Sequence, residues 1–290
     1  MFSEEPNFVR LKLGVAIVLV AVLFLSFASA IVWSFHARFP TIQIIFIQNF
    51  VSLLCILPLS FRAGIGSLKT ENLSIHLARD LFGVASYFFF FLAIRYLNLV
   101  NATLLNYTAP LWVPFLWRLR YKEPIQTNVW WSIIIGFIGM AIILNPTKQI
   151  FALGFFFGLF AGLCSAIASV ALRMLNLKQE PMDRSLFYYF SIGSILSLPF
   201  AIGAWVAPSF GEVVKAIGIG VFTAAGQMLL TIAYRYGTAA QLSPVGYASI
   251  IYSGLISCFL FGQCFDWQSI LGTILIISGG VLTYFFERKN

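Results

Sequence analysis

The sequence predicts an all-α integral membrane fold of ten transmembrane helices, arranged as two inverted five-helix repeats. Three observations predict it. The chain is 60% hydrophobic and only 10% charged, with a mean hydropathy of +0.91, whereas soluble globular domains carry about one quarter charged residues. Its second half repeats the first at a constant offset of 140 residues: Phe82 recurs as Phe222, Ala93 as Ala233, Arg95-Tyr96 as Arg235-Tyr236, Tyr107 as Tyr247 and Gly139 as Gly279. Charged and turn-forming residues cut the chain into ten apolar runs, each near the roughly 20 residues needed to cross a hydrocarbon core.

The first run, 13–34, follows Arg10 and Lys12. Its Ala28-Ser29-Ala30 resembles a signal-peptidase site, but the length of the run and the repeat it completes favour a retained span. Arg38-Phe39-Pro40 opens the second, 40–61, and Asn98 separates the third, 78–97, from the fourth, 100–119. Lys122-Glu123-Pro124 precedes the fifth, 128–145, which closes at Asn145-Pro146. The second half runs 151–173, 186–207, 213–234, 239–261 and 267–285, with breaks at Pro208 and Asp266. Lipid offers backbone groups no hydrogen-bond partner, so such breaks belong at the interfaces. The repeats are therefore 13–145 and 151–285, with no soluble domain between them.

Positively charged short loops stay on the cytoplasmic side. With both termini inside, the cytoplasmic loops hold fourteen of the eighteen Lys and Arg residues, leaving Arg38, Arg95, Lys148 and Lys215 outside. The net charge of +8 thus faces anionic headgroups, and nucleic acid need not be invoked. Five spans per half is odd, so the halves enter the membrane in opposite directions about a pseudo-two-fold axis lying in its plane. The expected location is the cell (inner) membrane. The cysteines Cys55, Cys164, Cys258 and Cys264 lie within or at the ends of spans and read as small packing residues rather than a disulfide or metal site.

The stretch Asn101-Ala-Thr-Leu-Leu-Asn-Tyr-Thr-Ala-Pro110, then Lys122-Glu123-Pro124 and Gly136 with Gly139, resembles the first EamA-type repeat of the drug/metabolite transporter superfamily. Ala233-Tyr234-Arg235, Leu242-Ser243-Pro244-Val245-Gly246-Tyr247, Phe261-Gly262-Gln263 and Gly272 through Gly279-Gly280 resemble the second in order and spacing. Two positions depart from the pattern. Gln48 stands where the family usually has an arginine, and Gln263 where it has a glutamate; Glu123 is kept. The resemblance implies a bundle that moves small organic solutes by alternating access, with spans three, four, eight and nine near the pathway. Similar proteins include amino-acid and metabolite exporters and the S-adenosylmethionine carriers of intracellular bacteria.

Polar side chains deep in lipid usually face a bundle interior or an aqueous cavity, and recurrence at equivalent depth in both halves strengthens that reading. Tyr87 pairs with Gln227, Tyr107 with Tyr247 and Trp112 with Tyr252, with Asn106, Thr108, Ser249 and Ser253 close by. The expected substrate-binding set is Tyr87, Asn106, Tyr107, Trp112, Gln227, Tyr247, Ser249 and Tyr252. The same residue types also serve to bridge helices. Arg95 and Arg235 are identical and charged at span ends, suited to a gate, to a substrate anion or to interfacial anchoring. Asp80, beside Arg79, reads as a helix-start residue at the cytoplasmic face.

Gly154, Gly158 and Gly162 share one helix face, fitting close packing within the chain, with a homodimer as the second use. The Phe88–Phe91 run, Phe155–Phe157 and Trp130-Trp131 are expected to face lipid or neighbouring helices. All ten acidic residues fall at or near span ends, which excludes an intramembrane aspartyl protease and argues for facilitated transport or exchange over carboxylate-based proton antiport. With only His36 and His76, neither a zinc site of the His-Glu-x-x-His kind nor a serine hydrolase is expected, and no cofactor is called for. A secondary carrier fits best. A channel lacks its ring of charges or carbonyl filter, and a membrane scaffold is the more distant alternative. An aromatic, acid-free midplane suits S-adenosylmethionine first, then amino acids or drugs exported by the same superfamily.

Overall fold

A computed structural model of the chain describes residues 5–35, 38–61, 68–121, 153–233, 242–262 and 266–288, with positions 131, 134–136, 138–139, 142, 236 and 264. These form helices α1 (Glu5–Ser34), α2 (Thr41–Phe61), α3 (Leu73–Tyr96), α4 (Leu99–Asn106), α5 (Ala109–Tyr121), α6 (Leu153–Leu177), α7 (Met182–Gly203), α8 (Phe210–Ala233), a 3-10 turn (Ser243–Tyr247), α9 (Ala248–Phe261) and α10 (Trp267–Arg288). Most of the expected fifth span, and with it Glu123, lies outside the described residues, as do Arg235 and Gln263.

Among the described residues, six helices are long and apolar enough to cross a membrane, α1 to α3 and α6 to α8. Their outward faces carry bare apolar side chains: Ile195 and Phe200 are each 69% exposed and Phe210 86%. In water such surface would drive association; in a bilayer it meets acyl chains.

The packing has two-fold symmetry. Helix α3 packs on α6 and, correspondingly, α1 on α8; α4 packs on α6 and α9 on α1; α2 packs on α8 and α7 on α3. Exchanging the halves turns each contact into its mate, while α2 with α7 and α4 with α9 map onto themselves. The fold is therefore two inverted repeats interlocked through one another. The glycine face of α6 permits this: a Cβ at Gly158 would lie 2.6 Å from Leu105, and one at Gly162 2.8 Å from the Leu105 carbonyl. These glycines pack helices within the chain.

Three expectations are corrected. The fourth span is broken rather than continuous, and the described part of the ninth is 3-10 before it becomes α-helical. The fourth splits into α4 and α5 at Tyr107-Thr108, because Pro110 has no N–H for the Asn106 carbonyl; the ninth opens with the 3-10 turn, Pro244 in its first positions. Helix α3 begins at Leu73 behind the N-cap Asn72, so Asp80 is two turns inside and fully buried, neither a helix start nor an interfacial acid. The polar start of α3 is tolerated because Glu180, between α6 and α7, accepts from Asn72 Nδ2 at 3.1 Å and lies 3.2 Å from His76 Nε2. Finally, Cys258 and Cys264 are disulfide-bonded. Gly262, in the left-handed region at φ 67°, ends α9 and turns the chain back, leaving the two Cα atoms 4.3 Å apart. Cys55 and Cys164 are free, as expected.

Candidate functional site

A cavity of about 290 Å³ opens between α1, α2, α3, α6, α7, α8 and the fourth and ninth spans. One stripe of α3 lines it at helical spacing: Arg79, Gly83, Ser86, Tyr87, Phe90 and Phe91. Positions four and seven apart share a helix face, so α3 presents a single mixed polar and aromatic wall. Phe90 and Phe91, 4% and 2% exposed, pack against neighbouring helices as expected of the phenylalanine run, and they also border the cavity.

The repeat-related pairs meet at this wall. Gln227 Nε2 donates to Tyr87 Oη at 3.3 Å, and the rings of Tyr107 and Tyr247 lie 6.2 Å apart. Residues equivalent under a two-fold operation can touch each other only beside the axis. The axis therefore passes between both pairs. Tyr107 stands at the break of the fourth span, and Tyr247 where the 3-10 turn passes into α9; interrupted helices of this kind commonly form a transporter's site.

Of the expected set, Tyr87, Asn106, Tyr107, Gln227 and Ser249 line the cavity. Asn106 Oδ1 accepts from Ser86 Oγ at 3.5 Å, and Ser249 Oγ lies 3.1 Å from Ser26 Oγ. Tyr247 is packed behind Tyr107, and its buried Oη has no partner among the described residues. Trp112 and Tyr252 are not brought together and stand off the cavity: Trp112 Nε1 donates to Thr108 Oγ1 at 3.4 Å, and Tyr252 packs with Val18, Leu242 and Ala233. Arg95 lines a second pocket of about 310 Å³ and donates to the Phe39 carbonyl. Phe91 borders both pockets.

Of the lining residues outside the expected set, Gln48 and Arg79 matter most. Gln48 is 1% exposed, and neither atom of its amide has a partner among the described residues. Its departure from the family pattern was the available signal. Arg79 also lines the cavity, hidden in the sequence by the assumption that α3 starts beside it. Outside the membrane, Glu180 is held at about pKa 2: burial raises it, but hydrogen bonds from Thr70, Arg184, His76 and Asn72 outweigh burial. That network clamps the α6–α7 connection to the start of α3, and so fixes the end of the wall.

Models of the EamA-like transporter family match residues 12–145 and 152–285, and the chain belongs to that family. It is similar to the pseudopaline exporter of Pseudomonas aeruginosa, 25% identical over 92% of this chain and 94% of that one. It is similar to the S-adenosylmethionine uptake transporter of Rickettsia felis, 25% identical over 87% of this chain and 85% of that one. An uncharacterized transporter of Helicobacter pylori is 26% identical over 93% of both chains. A crystal structure matches with a TM-score of 0.68 at 16% identity, covering 96% of this chain and 98% of that chain, and shares the fold. The protein is a multi-pass membrane transporter.

Proposed function

We propose that this transporter carries a small organic metabolite through the axial cavity by alternating access, as a facilitator or exchanger, with S-adenosylmethionine as the substrate. One observation carries the proposal: Tyr87 with Gln227 and Tyr107 with Tyr247, equivalent residues of the two halves, meet across the axis beside the same cavity. A site on the axis is approached equally from either side when the inverted halves exchange conformations. The repeats 13–145 and 151–285 act as the two moving halves, and both termini lie in the cytoplasm of a cell whose inner membrane holds the protein.

At about 290 Å³ the cavity stands at the lower end of small-molecule sites, which run roughly 300–1,000 Å³. Tyr87, Tyr107 and Phe90 offer faces for a flat ring and for a cationic centre, each such contact worth about 0.5–2 kcal/mol. Gln48, Gln227 and Asn106 offer both donors and acceptors. The name of the Rickettsia relative supports uptake of S-adenosylmethionine, and that of the Pseudomonas relative supports the second reading, export of a metabolite.

The test is uptake of labelled S-adenosylmethionine and amino acids into liposomes holding the purified protein, with and without unlabelled solute inside. Saturable S-adenosylmethionine uptake accelerated by trapped solute supports exchange. Amino-acid uptake without it moves the assignment to the exporter branch.

A further inference from the structure

We propose that Arg79 is the anion subsite of the cavity, so that the solute carried is one bearing a compact oxyanion, a carboxylate first. The inference rests on the transport reading but not on S-adenosylmethionine as the substrate. Arg79 is the one charged residue among the described residues lining the cavity, and it is 5% exposed. A guanidinium removed from water keeps most of its field, because little solvent is left to screen it.

The bland use of such a residue is a structural ion pair with Asp80. The geometry does not exhaust Arg79 in that way. Residues one apart on a helix do not face each other. Their contact is a single bond, Arg79 Nη1 to Asp80 Oδ1 at 3.2 Å, longer than the roughly 2.7–2.9 Å of a strong charge-assisted pair. Asp80 Oδ2 has no partner among the described residues, and Asp80 does not line the cavity. The acid thus offsets the charge from behind and leaves the cavity side open.

The guanidinium is also held in place. Nη1 spends its second hydrogen on the Ser185 carbonyl at 2.9 Å, and the Tyr189 ring lies 4.9 Å from the guanidinium carbon. Tyr189 itself is seated on Gly83, where a Cβ would come within 2.6 Å of the ring. Three N–H groups, on Nε and Nη2, make none of the described hydrogen bonds. They form the planar fork that matches a carboxylate with two parallel bonds.

The experiment compares solutes differing only in the carboxylate: S-adenosylmethionine with its decarboxylated form, tryptophan with tryptamine, and methionine with 3-(methylthio)propylamine. Each is offered to liposomes containing wild type, Arg79→Gln, or the double variant Arg79→Gln/Asp80→Asn. The double variant removes both charges together and guards against misfolding from an orphaned Asp80; its melting temperature is measured alongside. In wild type at least one acid enters tenfold or more faster than its amine, and the ratio falls below twofold in the folded double variant. A ratio retained in the double variant, or no preference for the acid in any pair, overturns the proposal. If tryptophan or methionine discriminates while S-adenosylmethionine does not enter, the substrate reading falls and the anion subsite stands. If S-adenosylmethionine enters but no acid of the three pairs is preferred over its amine, the reverse holds.

Discussion

Gly162→Ala tests whether the broken fourth span is seated on α6 as the structure places it. The added Cβ would lie 2.5 Å from Thr108 Oγ1, 2.8 Å from the Leu105 carbonyl oxygen and 3.3 Å from that of Asn106. A hydroxyl can rotate away. Two backbone carbonyls at a helix break cannot, because Leu105 O already accepts Thr108 Oγ1 at 2.7 Å and Thr108 N at 3.2 Å. Relief requires α4 and α6 to separate by several tenths of an ångström along a face where Gly158 also admits Leu105. Overpacking of this kind costs about 1–3 kcal/mol, and the displaced segment carries Asn106 and Tyr107 into the cavity wall. Thermal unfolding of the detergent-solubilised protein should show a lowered melting temperature, and liposome uptake a raised KM. Gly218→Ala is the control: its Cβ would meet only Ile31 Cδ1 at 3.5 Å, an ordinary contact, so stability is unchanged. If Gly162→Ala matches Gly218→Ala in both assays, α4 does not approach α6 as described and the argument for a rigidly seated break fails.

Tyr87→Phe and Gln227→Leu each raise KM about two- to tenfold, the worth of one neutral hydrogen bond, and the double variant is no worse than either alone; additive losses in a double-mutant cycle would separate the two side chains. Glu180, lowered to about 2 from an ordinary 4.5, binds fewer protons folded than unfolded, so its contribution to stability is full above about pH 4.5 and is lost as pH falls toward 2. The difference in melting temperature between wild type and Glu180→Gln therefore narrows across that window, and a constant gap would contradict it. Cys258 and Cys264 react with a membrane-impermeant maleimide on whole cells only after reduction; labelling without reductant would show the thiols free, and labelling only in lysed cells would invert the proposed topology. Asp80→Asn leaves the Arg79 cation without its buried partner and costs about 3–5 kcal/mol, whereas removing both charges is close to neutral; equal melting temperatures for the single variant and wild type would show that Asp80 is not ionised.

The repeat made most of the fold legible. An offset that holds without gaps from Phe82 to Gly279 implies both the span count and the inversion, and symmetric contacts follow from them. The same offset located Tyr87 with Gln227 and Tyr107 with Tyr247, since two residues that meet across the axis at equal depth are equivalent in sequence. It failed for Trp112 with Tyr252. Equivalence also holds for residues far from the axis, and the offset carries no radial information. The break at Tyr107 is hidden because an apolar run such as 100–119 looks continuous by hydropathy, although Pro110 is in view. The disulfide was hidden because it depends on the left-handed turn at Gly262, a backbone property that cysteine spacing does not report.

Asp80 was misplaced for a more instructive reason. Polarity was used to mark span ends, so the polar segment from Asn72 to Asp80 was assigned to the interface. There, however, the polarity belongs to a helix whose charged groups are satisfied by other elements, Glu180 for His76 and the Ser185 carbonyl for Arg79. The argument against proton antiport assumed that no carboxylate is buried, and Asp80, 0% exposed, removes that premise. A carboxylate solute engaging Arg79 would leave Asp80 without its counter-charge in a medium of low dielectric. The ammonium that an amino-acid solute also carries can supply that counter-charge, or a proton on Asp80 can remove the need for one.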